Sequence, residues 1–305
     1  NRPEFDAVKQ WFEKQTIKET KGVFKDIKEH ELGELAKYAN LTKKAQKLQG
    51  EPTQKQIDKM KQENPSCFIE ERHLKSGKIS YYVCWNVAET LNVVVDGFQY
   101  DFGTGGIHGS MESTIIKSDD EKVIVDQDVA SYYPNLAIAN KIYPEHLGDL
   151  FCEIYEDVYN QRKEYPKKQY PDENLMFKLA LNGVYGDSNN QYSPFYDPKL
   201  TMQITINGQL SLCMLAEMLS LEIESLEMIQ INTDGLTYRV SHEEKEKAQK
   251  ICHRWEQVTK LELEPADYEV MAIRDVNNYL SRYTDGSVKR KGSYAYKRPT
   301  EEDSE

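Results

Sequence analysis

A chain of 305 residues can hold one large domain or two ordinary ones, with enough interior for a substantial core. Its 39% hydrophobic and 30% charged residues suit a globular protein, and no run approaches the roughly 18 apolar residues of a membrane-spanning helix. A formal net charge of -12, from 39 Lys+Arg against 51 Asp+Glu, argues against a nucleic-acid partner, whose affinity comes from phosphate neutralisation.

The first segment, NRPEFDAVKQWFEKQ, lacks the basic-then-apolar layout of a signal peptide and has no starting Met, as expected of a processed or excised piece. Residues 1–62 read as helical and are rich in Lys, Gln and Glu. CFIEERHLKSGKISYYVCW reads as two strands around a Ser76-Gly77 turn, and LNVVVDGFQYDF continues in β-type residues. DFGTGGIHGS follows as a flexible glycine segment, and KVIVDQDV (122–129) as a strand leading into a turn. From Phe151 the spacing of Phe151, Ile154, Tyr155 and Val158 predicts a helix, with Arg162 near the same stripe and Pro166 as its stop. A second helix begins near Asp172, and its apolar stretch LMFKLALNGVYG predicts burial. A long apolar helix is expected over about 207–224, then a hairpin in MIQINTDGLTYRV with its tip at Thr233-Asp234-Gly235. An amphipathic helix carrying Ala248, Ile251, Cys252, Trp255 and Val258, and a strand pair around Asp285-Gly286, complete an α+β pattern with a helical insertion. Five widely spaced cysteines with no CxxC clamp predict reduced, mostly buried thiols in a cytoplasmic compartment.

Three clusters carry chemistry. Asp126 and Asp128 leave the same face of one strand, and paired hard oxygen ligands suit Mg²⁺ or Mn²⁺, although taken alone a solvated strand end is the better account. Asp234 belongs to an Asp-Gly turn signal, or projects a carboxylate opposite Asp128 so that two metal ions could bind between them. Lys178, Asn182 and Tyr185 share one helix face, and a lysine inside an apolar helix calls for an anion. Arg162, with Lys163, Lys167 and Lys168 nearby, adds a second positive group and makes a triphosphate clamp. For Lys163 a solvated helix end is the better account.

DVASYYP (128–134), KLALNGVYG (178–186) and NTDG (232–235) resemble, in order, the DxxSLYP, KxxxNSxYG and DTDS signatures of family B DNA polymerases, in the flavour found in bacterial viruses. The resemblance covers roughly residues 100–295 and implies a polymerase palm sheet with a helical fingers insertion, behind an N-terminal mixed helical and β segment. Its divisions would be 1–100 as the N-terminal segment, 101–150 as the first part of the palm and 151–206 as the fingers. Residues 207–297 would complete the palm, and 298–305 an acidic tail. The match implies that Asp128 and Asp234 are catalytic and hold two Mg²⁺ ions, or Mn²⁺, with the carbonyl of Val129 as a further ligand. Asp126 then falls outside the signature as a strand-end acid. Tyr133 would sit under the sugar and reject a 2′-hydroxyl, Arg162 and Lys178 would bind the triphosphate, Asn182 would support that face, and Tyr185 and Gly186 would line the nascent base pair. FGTGGIHG looks like the glycine segment whose amides, at Gly105 and Gly106, approach the template. NNYLSRYTDGSVKRKG resembles the primer grip, giving Tyr279, Lys289 and Lys291 to DNA.

The sequence departs from the family at Asn232, which replaces the usual first Asp of the hairpin, at Gly183, which replaces a Ser and suggests close packing, and at Asn277 and Asn278, which replace two lysines. No DxE nuclease segment appears before residue 100, and about ten residues follow the last palm motif, which leaves no room for a thumb. The expectation is therefore a template-directed polymerase acting on primer-template DNA and dNTPs, with further polymerase chains supplying thumb or exonuclease, and no membrane partner. Two other readings stay open: a non-catalytic polymerase fragment or subunit, and a nucleotide-sugar glycosyltransferase using Asp126-Gln127-Asp128 as its DxD.

Overall fold

The computed structural model describes residues 2–16, 20 and 22–295, so the acidic tail of 298–305 lies outside the described residues. The chain forms two compact units that divide between Thr104 and Gly105.

The N-terminal unit contains α1 (Pro3–Glu13), β1 (Lys25–Lys28), α2 (Glu29–Leu32), a 3₁₀ turn at Gly33–Lys37, β2 (Thr42–Lys47), α3 (Gln54–Glu63), β3 (Phe68–His73), β4 (Ile79–Val95) and β5 (Phe98–Gly103). The helical expectation for 1–62 is corrected here, because β1 and β2 lie inside it. The Lys- and Gln-rich β2 has little strand propensity of its own and takes its form from pairing with β4, Ala45 opposite Cys84. The 17-residue β4 pairs antiparallel with β2 and β3 along its first half and with β1 and β5 along its second. Asp96 and Gly97, at φ 49 and 81, make the tight turn into β5. Against this sheet α1 buries Phe5, Ala7, Val8, Trp11 and Phe12, and the Phe12 ring meets Phe24 and Phe102 at 5.7 and 6.0 Å.

The second unit contains β6 (Gly106–Ser110), β7 (Thr114–Lys117), β8 (Lys122–Val129), α4 (Tyr132–Asn140), α5 (Leu150–Lys163), α6 (Pro171–Asp187), α7 (Pro198–Glu222), β9 (Glu227–Asn232), β10 (Gly235–Ser241), α8 (Lys245–Thr259), β11 (Leu263–Asp275), β12 (Asn278–Tyr283) and β13 (Val288–Arg290). Its strands run in the order β6-β9-β10-β8-β11-β12-β13, with β7 on a further part of β11, and the pairings are antiparallel. The α+β class expected from the sequence is present.

Period-two alternation along β8 sets the two faces of this sheet. Val125 and Gln127 share a face with Tyr238 and Leu236 of β10. That face meets the helices: the Tyr238 hydroxyl lies 3.9 Å from Cys252 Sγ of α8, and Trp255 Nε1 of α8 donates to Ser211 O of α7 at 2.8 Å. Ile124, Asp126 and Asp128 therefore point the other way. Ile124 packs there with Ile229, Tyr268, Met271, Ile273 and Tyr279 in a second core.

Several expectations are corrected by this unit. The helix expected over 207–224 starts at Pro198, where Asp197 caps it by accepting from the amides of Lys199 and Leu200 at 3.0 and 3.1 Å. Its polar first half hid the period, because Thr201 and Thr205 are buried by bonding Ser188 and Tyr185. By length and composition α7 would suit a membrane, yet about half of that stretch is buried inside the protein. The 13-residue β11 went unanticipated, since Pro265 and its acidic neighbours break the β-type pattern. The glycine segment is regular, with Gly103 closing β5 and Gly106 opening β6. All five cysteines are free and four are buried, as expected of thiols that serve as core residues.

The apolar stretch of α6 is not buried: only Leu181 is, while Leu175, Met176 and Leu179 are exposed. Nor is Gly183 closely packed, since a β-carbon there would meet nothing within 4 Å. Gly183→Ala should then stabilise the protein by about 1 kcal/mol through helix propensity alone, read as a higher urea midpoint with an unchanged slope.

Candidate active site

The site begins where β8 ends beside the β9–β10 hairpin. Gly235 pairs with Asn232 in the hairpin and with Asp128 across to β8. The Val129 amide donates to the carbonyl of Asp234 at 2.7 Å, which fixes the hairpin tip against the end of β8. Asp234-Gly235 does not act as a left-handed turn dipeptide, for neither residue has positive φ. Gly235 answers a steric demand instead. A β-carbon there would sit 2.5 Å from Gln127 O, 2.8 Å from Asp128 Oδ1 and 3.0 Å from Asp128 Cα. The missing side chain is what lets Asp128 and Asp234 share one end of the sheet.

Behind Asp128 lies a buried polar cage. Asp126 is 6% exposed and accepts from Thr237 Oγ1 at 2.6 Å and from the Tyr268 hydroxyl. Lys289 Nζ bonds Asp128 Oδ2 at 3.0 Å, Asp126 Oδ2 at 3.1 Å and the Tyr268 hydroxyl at 3.1 Å. This corrects the strand-end reading of Asp126, because a buried carboxylate with three partners is structural to the site. Burial opposes the charge of Lys289, but the carboxylates of Asp126 and Asp128 outweigh it and raise the ammonium's pKa above its ordinary value. Burial, then the Asp126 charge, push the Asp128 carboxyl up; Lys289 opposes this and Asp234 adds to it. Asp126 and Asp128 thus share the one ammonium of Lys289.

Aromatic rings form the next wall. Tyr133 and Tyr185 stand with centroids 4.4 Å apart, and Tyr132 stacks on Tyr133 at 5.8 Å. The Tyr133 hydroxyl donates to Gly105 O at 2.6 Å, and that of Tyr185 pairs with Thr205 Oγ1 at 2.9 Å, so both ring positions are set. Gly106, at φ +141, has no room for a side chain: a β-carbon would lie 2.9 Å from Thr233 Cγ2 and 3.0 Å from the Tyr133 hydroxyl. Gly208 of α7 likewise admits Leu136, Tyr132 and Tyr133 at close range.

The cationic wall comes from α5 and α6. Arg162 Nη1 donates to Ser131 Oγ at 2.5 Å and Nη2 to Asn174 Oδ1 at 3.3 Å, while its buried Nε has no partner among the described residues. Lys178 and Asn182 lie on the exposed face of α6 and line the same opening. Lys178 thus needs no anion to offset burial, which corrects the reason for singling it out, although its position faces the cleft. Lys163 pairs with Glu262 at 3.6 Å on the exposed rim.

Together these walls enclose a cleft of about 800 Å³. Asp128, Val129, Tyr133, Arg162, Lys178, Asn182, Tyr185, Asp234 and Lys291 all line it, from five separate segments of the chain. Gly105 and Gly106 support it through Tyr133 and Thr233, whereas Gly186 opens onto solvent outside its lining. Tyr279, only 2% exposed, belongs to the second core and offers no surface to a ligand. Lys289 is turned inward to the carboxylates. Ser131, Asn174, Glu262 and Glu264 also line the cleft, and of these only Ser131 falls within a motif read from the sequence. Glu264 sits opposite Asp128 in the β8–β11 register, a pairing hidden because β11 itself was not legible. Ser131, at φ 44, is a strained turn residue whose hydroxyl meets Arg162.

No protein-family model matches the chain, and no curated protein sequence matches it significantly.

Gly235→Ala should destabilise the protein by about 1–3 kcal/mol, as overpacking of a closed strand pair does. Urea unfolding of the variant beside the parent protein measures it, and equal midpoints would contradict the close approach at Asp128.

Proposed function

We propose that this chain is a template-directed DNA polymerase that adds dNTPs to a primer 3′-hydroxyl and releases pyrophosphate. The observation that carries this reading is the convergence of the three motifs on one cleft lined by both carboxylates and cations. The resemblance to family B polymerases supplies the roles, with the sheet of the second unit as palm and α5 and α6 as fingers.

The donor set fits divalent metal. Asp128 and Asp234 are hard oxygen donors lining one cleft, where Glu262 and Glu264 add further carboxylates. Mg²⁺ held by Asp128 and Asp234, with Val129 as a backbone donor, would supply charge stabilisation for the attacking and leaving oxygens.

The chain's own residues do the rest. Arg162, braced by Ser131 and Asn174, presents a guanidinium fork suited to phosphate oxygens, and Lys178 adds a mobile point charge on the same wall. Their charge offsets what develops on the departing pyrophosphate. Tyr133, held by Gly105 and packed on Tyr185, forms a fixed flat floor for a sugar, and a fixed ring can refuse a 2′-hydroxyl by shape. Lys291 at the cleft rim suits a primer phosphate. Further chains contributing a thumb or a nuclease would add grip and proofreading. The glycosyltransferase reading loses support, because its first Asp is buried in bonds to Thr237, Tyr268 and Lys289.

Asp128→Ala and Asp234→Ala should each lower primer extension by at least about 10²–10³-fold while leaving circular dichroism unchanged. Extension at the parent rate by either variant would remove the site assignment. Tyr133→Ala should raise the ribonucleotide-to-deoxyribonucleotide incorporation ratio on the order of 10-fold or more, scored by single-nucleotide addition on a defined template.

A further inference from the structure

Lys289 has an unusual station. It lies on β13, a three-residue strand that is three places removed from β8 in the sheet order, yet its side chain returns to the β8 carboxylates. An ammonium has three N–H donors, and here all three have acceptors: Asp126 Oδ2, Asp128 Oδ2 and the Tyr268 hydroxyl. The two acids differ in kind. Asp126 is buried and fixed by Thr237 and Tyr268, while the side chain of Asp128 is 40% exposed and lines the cleft. One side of the ammonium is therefore anchored on a rigid acid, and the other rests on an acid open to ligand.

We infer that Lys289 is a resident counter-cation that occupies the inner side of Asp128 until a divalent ion takes that carboxylate, and then stays tethered to Asp126 and Tyr268. This rests on the proposed metal-dependent polymerase reading and adds to it a positioning residue with a defined competitor. Leaving Asp128 breaks one of the lysine's three hydrogen bonds and keeps two, so the exchange needs no rearrangement of the strand. While the site is empty, the ammonium keeps Asp126 and Asp128 from repelling each other within a largely buried cage. Once an ion arrives, the retained positive charge opposes it at short range and weakens its affinity. Asp126 acts through Lys289 and not on the metal: it holds the counter-cation back from Asp128.

The test is Mn²⁺ binding to the full chain without DNA or nucleotide, by electron paramagnetic resonance and calorimetry. Lys289→Gln, which keeps hydrogen-bonding capacity but loses the charge, should bind Mn²⁺ on the order of 10-fold more tightly than the parent protein. Lys289→Arg, with the charge restored, should return to parent affinity, and Asp128→Asn should lose the site. A merely structural lysine, or one that only contacts DNA, leaves Mn²⁺ affinity unchanged or lower in Lys289→Gln, and that result overturns the inference. If the parent protein extends primers while Lys289→Gln binds Mn²⁺ no tighter, the counter-cation falls and the polymerase reading stands. If Mn²⁺ binds as inferred but no primer is extended, the polymerase reading falls alone.

Discussion

The second unit is organised around a place where no side chain fits. Gly235 lies so close to Gln127 and Asp128 that even a methyl group would collide with both. That approach lets the Val129 amide reach the Asp234 carbonyl, and the bond joins the tip of one hairpin to the end of a strand over 100 residues earlier. The remaining features follow from the contact. β8 and β10 run in register away from it, so Asp126 faces Thr237 and Val125 faces Tyr238. One face of the sheet then belongs to α7 and α8, and the other to the carboxylates and their lysine.

The net charge of -12 first appears to oppose a phosphate-handling protein, but charge acts locally. Many acids and bases far from the cleft neutralise each other in exposed ion pairs, such as Glu70 with Lys43 and Arg72, or Glu222 with Arg254. The cleft lining gathers both signs: Asp128, Asp234, Glu262 and Glu264 beside Arg162, Lys163, Lys178 and Lys291. A sum over the chain averages such local clustering away.

What could be read from the sequence was whatever local pattern determines. β8, the β9–β10 hairpin, α5 and α6 follow from short-range periodicity and turn residues, and the motif residues on them do reach a common cleft. What could not be read depends on partners distant in the chain. β2 and β11 are strands because β4 and β8 pair with them, against the composition of the first and a proline in the second. Asp126 looked like a surface acid because Lys289 and Tyr268 come from more than 140 residues later. Tyr279 and Lys178 show two further errors: the resemblance gave Tyr279 to DNA and the packing buries it, while the apolar stretch implied burial of Lys178 and the packing leaves it exposed. Gly183 and Gly235 have the same side chain and opposite surroundings, and only coordinates separate an open position from a forbidden one.

The length of β4 has a consequence for how the N-terminal unit comes into being. β1, β2, β3 and β5 each pair with β4, and in the described register none of them pairs with another. On a ribosome, the strands that precede residue 79 have no template until β4 emerges, so the first quarter of the chain must wait without its sheet. Pairing β1 or β2 with β4 closes loops of tens of residues, which makes assembly of this unit a late and concerted event. Because β4 is shared, a one-residue slip on it would invert four interfaces together, so the unit has a single register to find.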